Sequence, residues 1–305
     1  NIMQAVKVGL PSSDVRVRGF TLIELLIASA IMVGILSIIA QSFRLGGQEV
    51  TRSFAITDIS EDVRLSGQLI SDEIARAVYV YPPGTIITLG AGYTTKKPSV
   101  VYKPDGTTTP ATSASNEWKV GTDPILAMLV PPTTVGTCTS TNESNCLYFV
   151  AYYPVERSGV VTGATGPNNE NNPGADPLNG SNWVLYELRD RLDTATLAPS
   201  TGRVYSLPAV SYTGSGLRGY ILADHIDAGG FKINFGVATE TFCRNKEGSP
   251  VNCNTTPGLP LDALSTVIRG NFSLQSAIAR GNLPGKVKSQ KYDYAIGPRN
   301  LYPKL

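Results

Sequence analysis

A single histidine in 305 residues excludes His-rich metal sites and catalysis by several imidazoles. Charge is scarce as well. Asp, Glu, Lys and Arg make up 16% of the chain, against a usual share of about a quarter. Apolar residues reach 42%, the opposite of a disordered polyampholyte. The net charge of +2 makes no electrostatic case for nucleic acid. Proline is absent between Phe20 and Tyr81, although the chain holds 21 prolines and 30 glycines, so turns and loops are expected to crowd into the remainder. The length suits one large domain or two modest ones.

What the chain does have is one long apolar run, Phe20–Ala40, about the length a bilayer-spanning helix needs. Lys7, Arg16 and Arg18 precede it against only Asp14, and beyond residue 19 the two signs balance. The basic excess in front predicts a cytoplasmic N-terminus and a single crossing, with the remainder outside. The run is too long for the apolar region of a secretory signal peptide, and no small-residue cleavage site follows it. Glu24 sits within this run. A carboxylate there is costly to insert and calls for a partner, and the run offers no cation.

Arg18-Gly19-Phe20-Thr21-Leu22-Ile23-Glu24 resembles the processing signal of type IV prepilins and type II secretion pseudopilins. In that family a basic leader, Gly, an aromatic residue and a Glu fall in fixed register inside one hydrophobic helix. The resemblance implies a leader over 1–19, cleavage after Gly19 by a prepilin peptidase, and N-methylation of Phe20. It also implies that Glu24 neutralises the newly exposed amine of its own or a neighbouring subunit during assembly. Such pairing is physically reasonable, because cleavage places an ammonium in a low-dielectric setting where a carboxylate one turn away is a fitting counter-ion.

Helical periodicity continues past Ala40. Val50, Phe54, Ile59, Val63, Ile70, Ile74 and Val78 recur mostly at spacings of four and seven, with charges on other faces, as on an amphipathic helix. Pro82-Pro83-Gly84 stops it. The expected helix is a rod of roughly 90 Å with an apolar half over 20–40 and an amphipathic half over 41–81. Gly46-Gly47 is its expected weak point, since each glycine costs about 1 kcal/mol relative to alanine.

Residues 82–305 read as a β-rich head. Short apolar or alternating runs at 85–89, 99–102, 125–130, 147–153, 183–188, 219–222, 231–235 and 265–274 are separated by stretches rich in Gly, Pro, Asn and Thr, which favours antiparallel pairing. The expected fold class is α+β: a long N-terminal helix packed on a mainly antiparallel sheet. Three segments, Leu69–Ala77, Leu222–Phe231 and Val267–Leu274, resemble blocks of PilW/J-type minor pilins.

An extracytoplasmic head permits disulfides. Cys138 and Cys146 are eight apart, and Cys243 and Cys253 are ten apart. Two local pairs are the simplest of three connectivities. A four-cysteine zinc site is disfavoured by the lack of a short gap in either pair.

Other patterns read as structural. Gly214–Gly219 fits GxGxxG, yet only a short strand-like run follows it, whereas a dinucleotide site needs a helix. His225 lies between Asp224 and Asp227 without a nucleophile motif. Asn168, Asn169, Glu170, Asn171, Asn172 and Asp176 offer oxygen ligands, but their spacing is not that of an EF-hand, and the stretch 163–176 is expected to be a solvated surface loop. No cofactor pattern emerges.

The resemblance therefore implies a minor pilin, structural and not enzymatic, at or near a filament tip where it primes assembly. Its partners would be major and minor pilins through the N-terminal helix, the prepilin peptidase and the inner-membrane assembly platform. It would pass from the inner membrane to a periplasmic or cell-surface pilus. A type II secretion pseudopilin and a membrane-anchored binding domain are the alternatives.

Overall fold

The computed structural model describes residues 21–77, 79–90, 92–102, 108–110, 116–131, 133–134, 139, 141, 146–163, 171–192, 210–214, 217, 219–235, 242–245, 250–252, 261–263, 270–281 and 283–297. Two compact units meet between Val50 and Thr51, and the first helix, α1 (Leu22–Arg76), contributes to both.

In the first unit α1 carries a segment long and apolar enough to cross a membrane, none of it buried. Two of its serine hydroxyls pair along the helix: Ser29 donates to the Leu26 carbonyl at 2.9 Å and Ser42 to the Ile38 carbonyl at 2.9 Å. Such internal pairing is what a lipid environment demands. Gly46 and Gly47, the expected weak point, are helical.

The second unit begins with the rest of α1, whose buried face is Ala55, Ile59, Val63, Ser66, Gly67, Ile70 and Ile74. This differs from the expected stripe at its start, where Val50 and Phe54 are exposed. The seam runs through the small Ala55, against which a hairpin packs, and the bulkier Phe54 is turned away. The helix also ends at Arg76, earlier than the expected Tyr81. Tyr79 and Val80, aromatic and β-branched, instead pair with Leu129 and Met128, where such residues gain more from a pleated, half-buried surface than from another helical turn.

The strands in chain order are β1 (Tyr79–Val80), β2 (Ile86–Leu89), β3 (Val100–Tyr102), β4 (Thr108–Pro110), β5 (Glu117–Lys119), β6 (Leu126–Val130), β7 (Leu147–Glu156), β8 (Trp183–Leu192), β9 (Ser211–Tyr212), β10 (Gly219–Ile226), β11 (Lys232–Phe235), β12 (Phe242–Asn245), β13 (Pro250–Asn252), β14 (Leu261–Ala263), β15 (Gly270–Leu274), β16 (Ala277–Ala279), β17 (Lys286–Lys288) and β18 (Tyr292–Ile296). A short helix α2 (Arg157–Gly163) follows β7. The main sheet has the order β1-β6-β7-β8-β10, and every pairing in it is antiparallel. With the long N-terminal helix this is the α+β layout anticipated from sequence.

The main sheet is covered on both faces. Ala127, Leu129, Phe149, Ala151, Tyr153, Val184, Tyr186 and Leu188 point into one core layer with Ile87, Leu89, Trp118 and Tyr212 from β2, β5 and β9. Their sequence neighbours Leu126, Met128, Val150, Tyr152, Trp183 and Leu185 point into the other layer with Val63, Ile70 and Ile74 of α1, Phe231 just before β11, and Phe272 of β15. Double coverage explains why β7 reads as a continuous apolar run and not as an alternation, because period two survives only where one face is wet. Pro154 lies inside β7 but beyond Tyr152, the last residue facing β6. There β7 has a neighbour on one side only, the setting in which a strand tolerates proline.

The β16–β17 hairpin closes a smaller cluster, in which Ile278 and Val287 cover Ala55 and Ile59 of α1. Gly67 lets α1 approach β18. A Cβ there would sit 2.2 Å from Tyr294 Cε2, and the Tyr294 hydroxyl donates to the Arg64 carbonyl at 3.1 Å.

Candidate functional site

Gly19 and Phe20 lie outside the described residues. Immediately after them, Thr21 caps α1. Its backbone N–H and its hydroxyl both donate to Glu24 Oε2, each at 3.0 Å, and the Glu24 N–H donates to Thr21 Oγ1 at 3.3 Å. Thr21-x-x-Glu24 is thus a reciprocal capping box. The carboxylate also lies at the positive end of the helix dipole, where a negative charge is favoured. Sequence reasoning sought a cation for Glu24 and overlooked this intrachain partner, although the Thr-x-x-Glu spacing ahead of an apolar run was there to read. Glu24 therefore has hydrogen-bond donors within its own chain, in the first turn of the helix.

Residues 15–40 match the prokaryotic N-terminal methylation motif. The chain carries the signal of type IV pilin-like proteins at the start of a long apolar helix, which implies prepilin-peptidase processing, pilus components as partners, a membrane-anchored precursor and a structural role. No curated protein and no solved structure matches the chain. Gly19, Phe20 and Glu24 all fall inside the matched segment.

The segments Leu69–Ala77, Leu222–Phe231 and Val267–Leu274 meet in one core layer. Ile70 and Ile74 of the first, Ala223, Ile226 and Phe231 of the second, and Phe272 and Leu274 of the third share the cluster between α1 and the sheets. The Phe231 and Phe272 rings contact edge to face at 6.4 Å, and β11 pairs with β15 in register from Lys232 opposite Ser273 to Phe235 opposite Gly270. Glu73 of the first block accepts from Arg189 of β8 at 3.0 Å, and Arg189 also meets Glu187 at 2.8 Å. These two carboxylates hold the guanidinium charged despite its burial. The blocks thus fasten the helix to the sheet.

Among the described residues no cysteine is free, and Cys146 is disulfide-bonded. Cys138 and Cys253 lie outside the described residues. Cys243 is on β12 opposite Val251 of β13, two residues short of Cys253. The other patterns fall as follows. Gly214–Gly219 joins β9 to β10, so a strand and not a helix follows the glycines. Asn168, Asn169 and Glu170 lie outside the described residues. Where the following stretch was expected to be solvated, Asn171 is buried and its carbonyl accepts the Tyr186 hydroxyl at 2.7 Å. Asp176 bonds Asn179 at 2.7 Å. Asn179 in turn accepts from the Ala279 N–H at 2.7 Å, so this asparagine-rich segment fastens the β16–β17 hairpin. Among the described residues no group of three or more His, Cys, Asp or Glu is arranged to hold a metal.

His225 lies on β10 beside an ion pair. Arg157 of α2, 3% exposed, meets Asp224 at 3.1 Å and also donates to the Pro173 carbonyl at 3.2 Å. The guanidinium therefore joins β10 to the segment before Asp176.

Proposed function

We propose that this chain is a minor pilin of the PilW/J type. It is cut after Gly19 and N-methylated at Phe20. It is held as a single-pass inner-membrane precursor with a cytoplasmic N-terminus, and then drawn into a filament at or near the tip, where it primes assembly. The observation that carries this reading is the methylation motif over residues 15–40 on an unburied apolar helix that opens with a carboxylate. The capping box holds Glu24 at the first helical turn, close along the chain to the amine that cleavage would expose. There it serves first as a helix cap and then as counter-ion to an ammonium. The large head supports a tip position, because a tip subunit does not have to repeat along a shaft. Partners are major and minor pilins through α1 and the inner-membrane assembly platform. In the head, Cys138 pairs with Cys146 and Cys243 with Cys253.

The test is the mature N-terminus in cells with active prepilin peptidase. Edman sequencing and mass analysis should find a chain that starts at Phe20 and carries one added methyl group. A bulky residue in place of Gly19 should leave the leader attached. A native chain that retains residues 1–19 would overturn the reading. Filaments isolated from the same cells should contain the protein in low copy beside a major pilin; recovery only with a secretion apparatus would favour the pseudopilin alternative.

A further inference from the structure

His225 is the only histidine of the chain and, among the described residues, the only non-glycine with a positive φ, at 56°. Left-handed backbone at an imidazole is uncommon and persists only where the surroundings hold it. The strand around it is irregular. The register of β10 against β8 shifts between Ile221 and Ala223 and again between Ala223 and Ile226, as bulges do when they re-aim a side chain.

Both ends of this irregular stretch are tied to other elements. The Leu222 carbonyl accepts the Ser66 hydroxyl of α1 at 3.2 Å. Ile226 bridges to Ser276, the residue before the β16–β17 hairpin, and the Asp227 N–H donates to the Gln275 carbonyl at 2.9 Å. His225 thus sits on the piece of chain that links α1 to the hairpin.

Its ring is placed awkwardly for a proton. Nε2 lies 3.6 Å from Asp224 Oδ2, while Nδ1 is buried with no hydrogen-bond partner among the described residues. A neutral ring with its hydrogen on Nε2 leaves only an unpaired lone pair at Nδ1. Protonation converts that lone pair into a buried N–H with no acceptor, a costly arrangement. Charged groups from several elements act on the ring: Asp62 of α1, Asp224 of β10, Arg157 of α2, Asp176 of the segment after Pro173, and Arg280 of the hairpin. The three acids favour the cation and the two guanidiniums oppose it.

We propose that His225 is a proton-operated catch in the head: neutral, it keeps the bulged end of β10 seated between α1 and the β16–β17 hairpin, and protonated, it opens that stretch. Burial, the largest influence, lowers the affinity of the ring for a proton below that of a free imidazole. The unfolded chain therefore takes up the proton first as pH falls. The stretch is fully held above the ordinary imidazole value near pH 6.5, loosens as pH drops below it, and reaches its limit below the midpoint of the folded ring.

The experiment uses the full chain in detergent micelles with isotope-labelled histidine, so that one ring reports. Its titration midpoint should lie below that of the same chain in denaturant. Amide exchange, corrected for intrinsic rates, is then compared at about pH 5 and about pH 7.5. Between the two midpoints the opening of residues 222–227 and of the hairpin should rise up to about tenfold per pH unit, while the β6–β7 pairing stays protected. His225→Asn keeps a side chain suited to left-handed backbone but does not titrate, and should abolish the pH effect. A folded-ring midpoint at or above the unfolded one, a loosening spread equally over β6 and β7, or an unchanged pH effect in His225→Asn would each overturn the proposal. Should that variant not fold, the ring titration and wild-type exchange still decide.

Discussion

Gly67→Ala sets two physical effects of opposite sign against each other. In an exposed helix the substitution stabilises by about 1 kcal/mol, because alanine loses less conformational freedom. Here the new methyl would lie 2.2 Å from Tyr294 Cε2 and 2.3 Å from Cζ, well inside any van der Waals contact. Tyr294 must move, and its ring is held twice, by its hydrogen bond to the Arg64 carbonyl and by stacking on Phe272 at 5.0 Å. The bond contributes about 1 kcal/mol, the stacking about 1 kcal/mol, and the displaced packing about another 1 kcal/mol. Set against the propensity gain, the net loss is about 2 kcal/mol, or about 4–8 °C in Tm for a unit of this size. Unfolding of the full chain in micelles can be followed through Trp118 and Trp183, both buried. In a Tyr294→Ala background the clash is gone, and Gly67→Ala should turn stabilising. A Gly67→Ala variant that is more stable than wild type in the native background would refute the close approach of α1 to β18.

Three further expectations follow from named contacts. Glu24→Gln keeps the capping-box geometry, which accepts Gln as well as Glu, but removes the charge; filament incorporation should fall as far as in Glu24→Ala while membrane insertion is retained, and wild-type incorporation would mean that the cap and not the charge matters. Lys97 and Asp123 form a buried ion pair at 2.8 Å, 1% and 5% exposed at the side chain, so Lys97→Met should cost about 3 kcal/mol in urea unfolding by leaving the carboxylate charge uncompensated, and adding Asp123→Asn, which removes the charge but keeps an acceptor for the Lys119 N–H at 2.7 Å, should recover part of the loss. Peptide mapping under non-reducing conditions should find Cys138 joined to Cys146 and Cys243 to Cys253, and any cross-pairing would remove the two small loops from the reading.

The long helix, its apolar first half and the motif that carries Glu24 are local properties. They depend on composition, period and fixed register along the chain, so the sequence alone determined them, together with the α+β class. Strand positions were also largely legible as short apolar runs between turn residues. The ends of elements were not. Whether residues 79–80 stay helical or join β6, and whether Ala55 or Phe54 faces inward, depends on which partner arrives, and that partner is remote in sequence. The same holds for the asparagine-rich stretch, hydrophilic by composition yet part-buried because Tyr186 and the β16–β17 hairpin use its polar groups. It holds for His225 too, an ordinary residue in the string, whose left-handed backbone and buried Nδ1, without a partner among the described residues, arise only when α1, α2, β10 and the hairpin converge. Local periodicity reports what a segment can bury; only the assembled fold decides against what, because burial and polar satisfaction are settled between segments far apart in the chain.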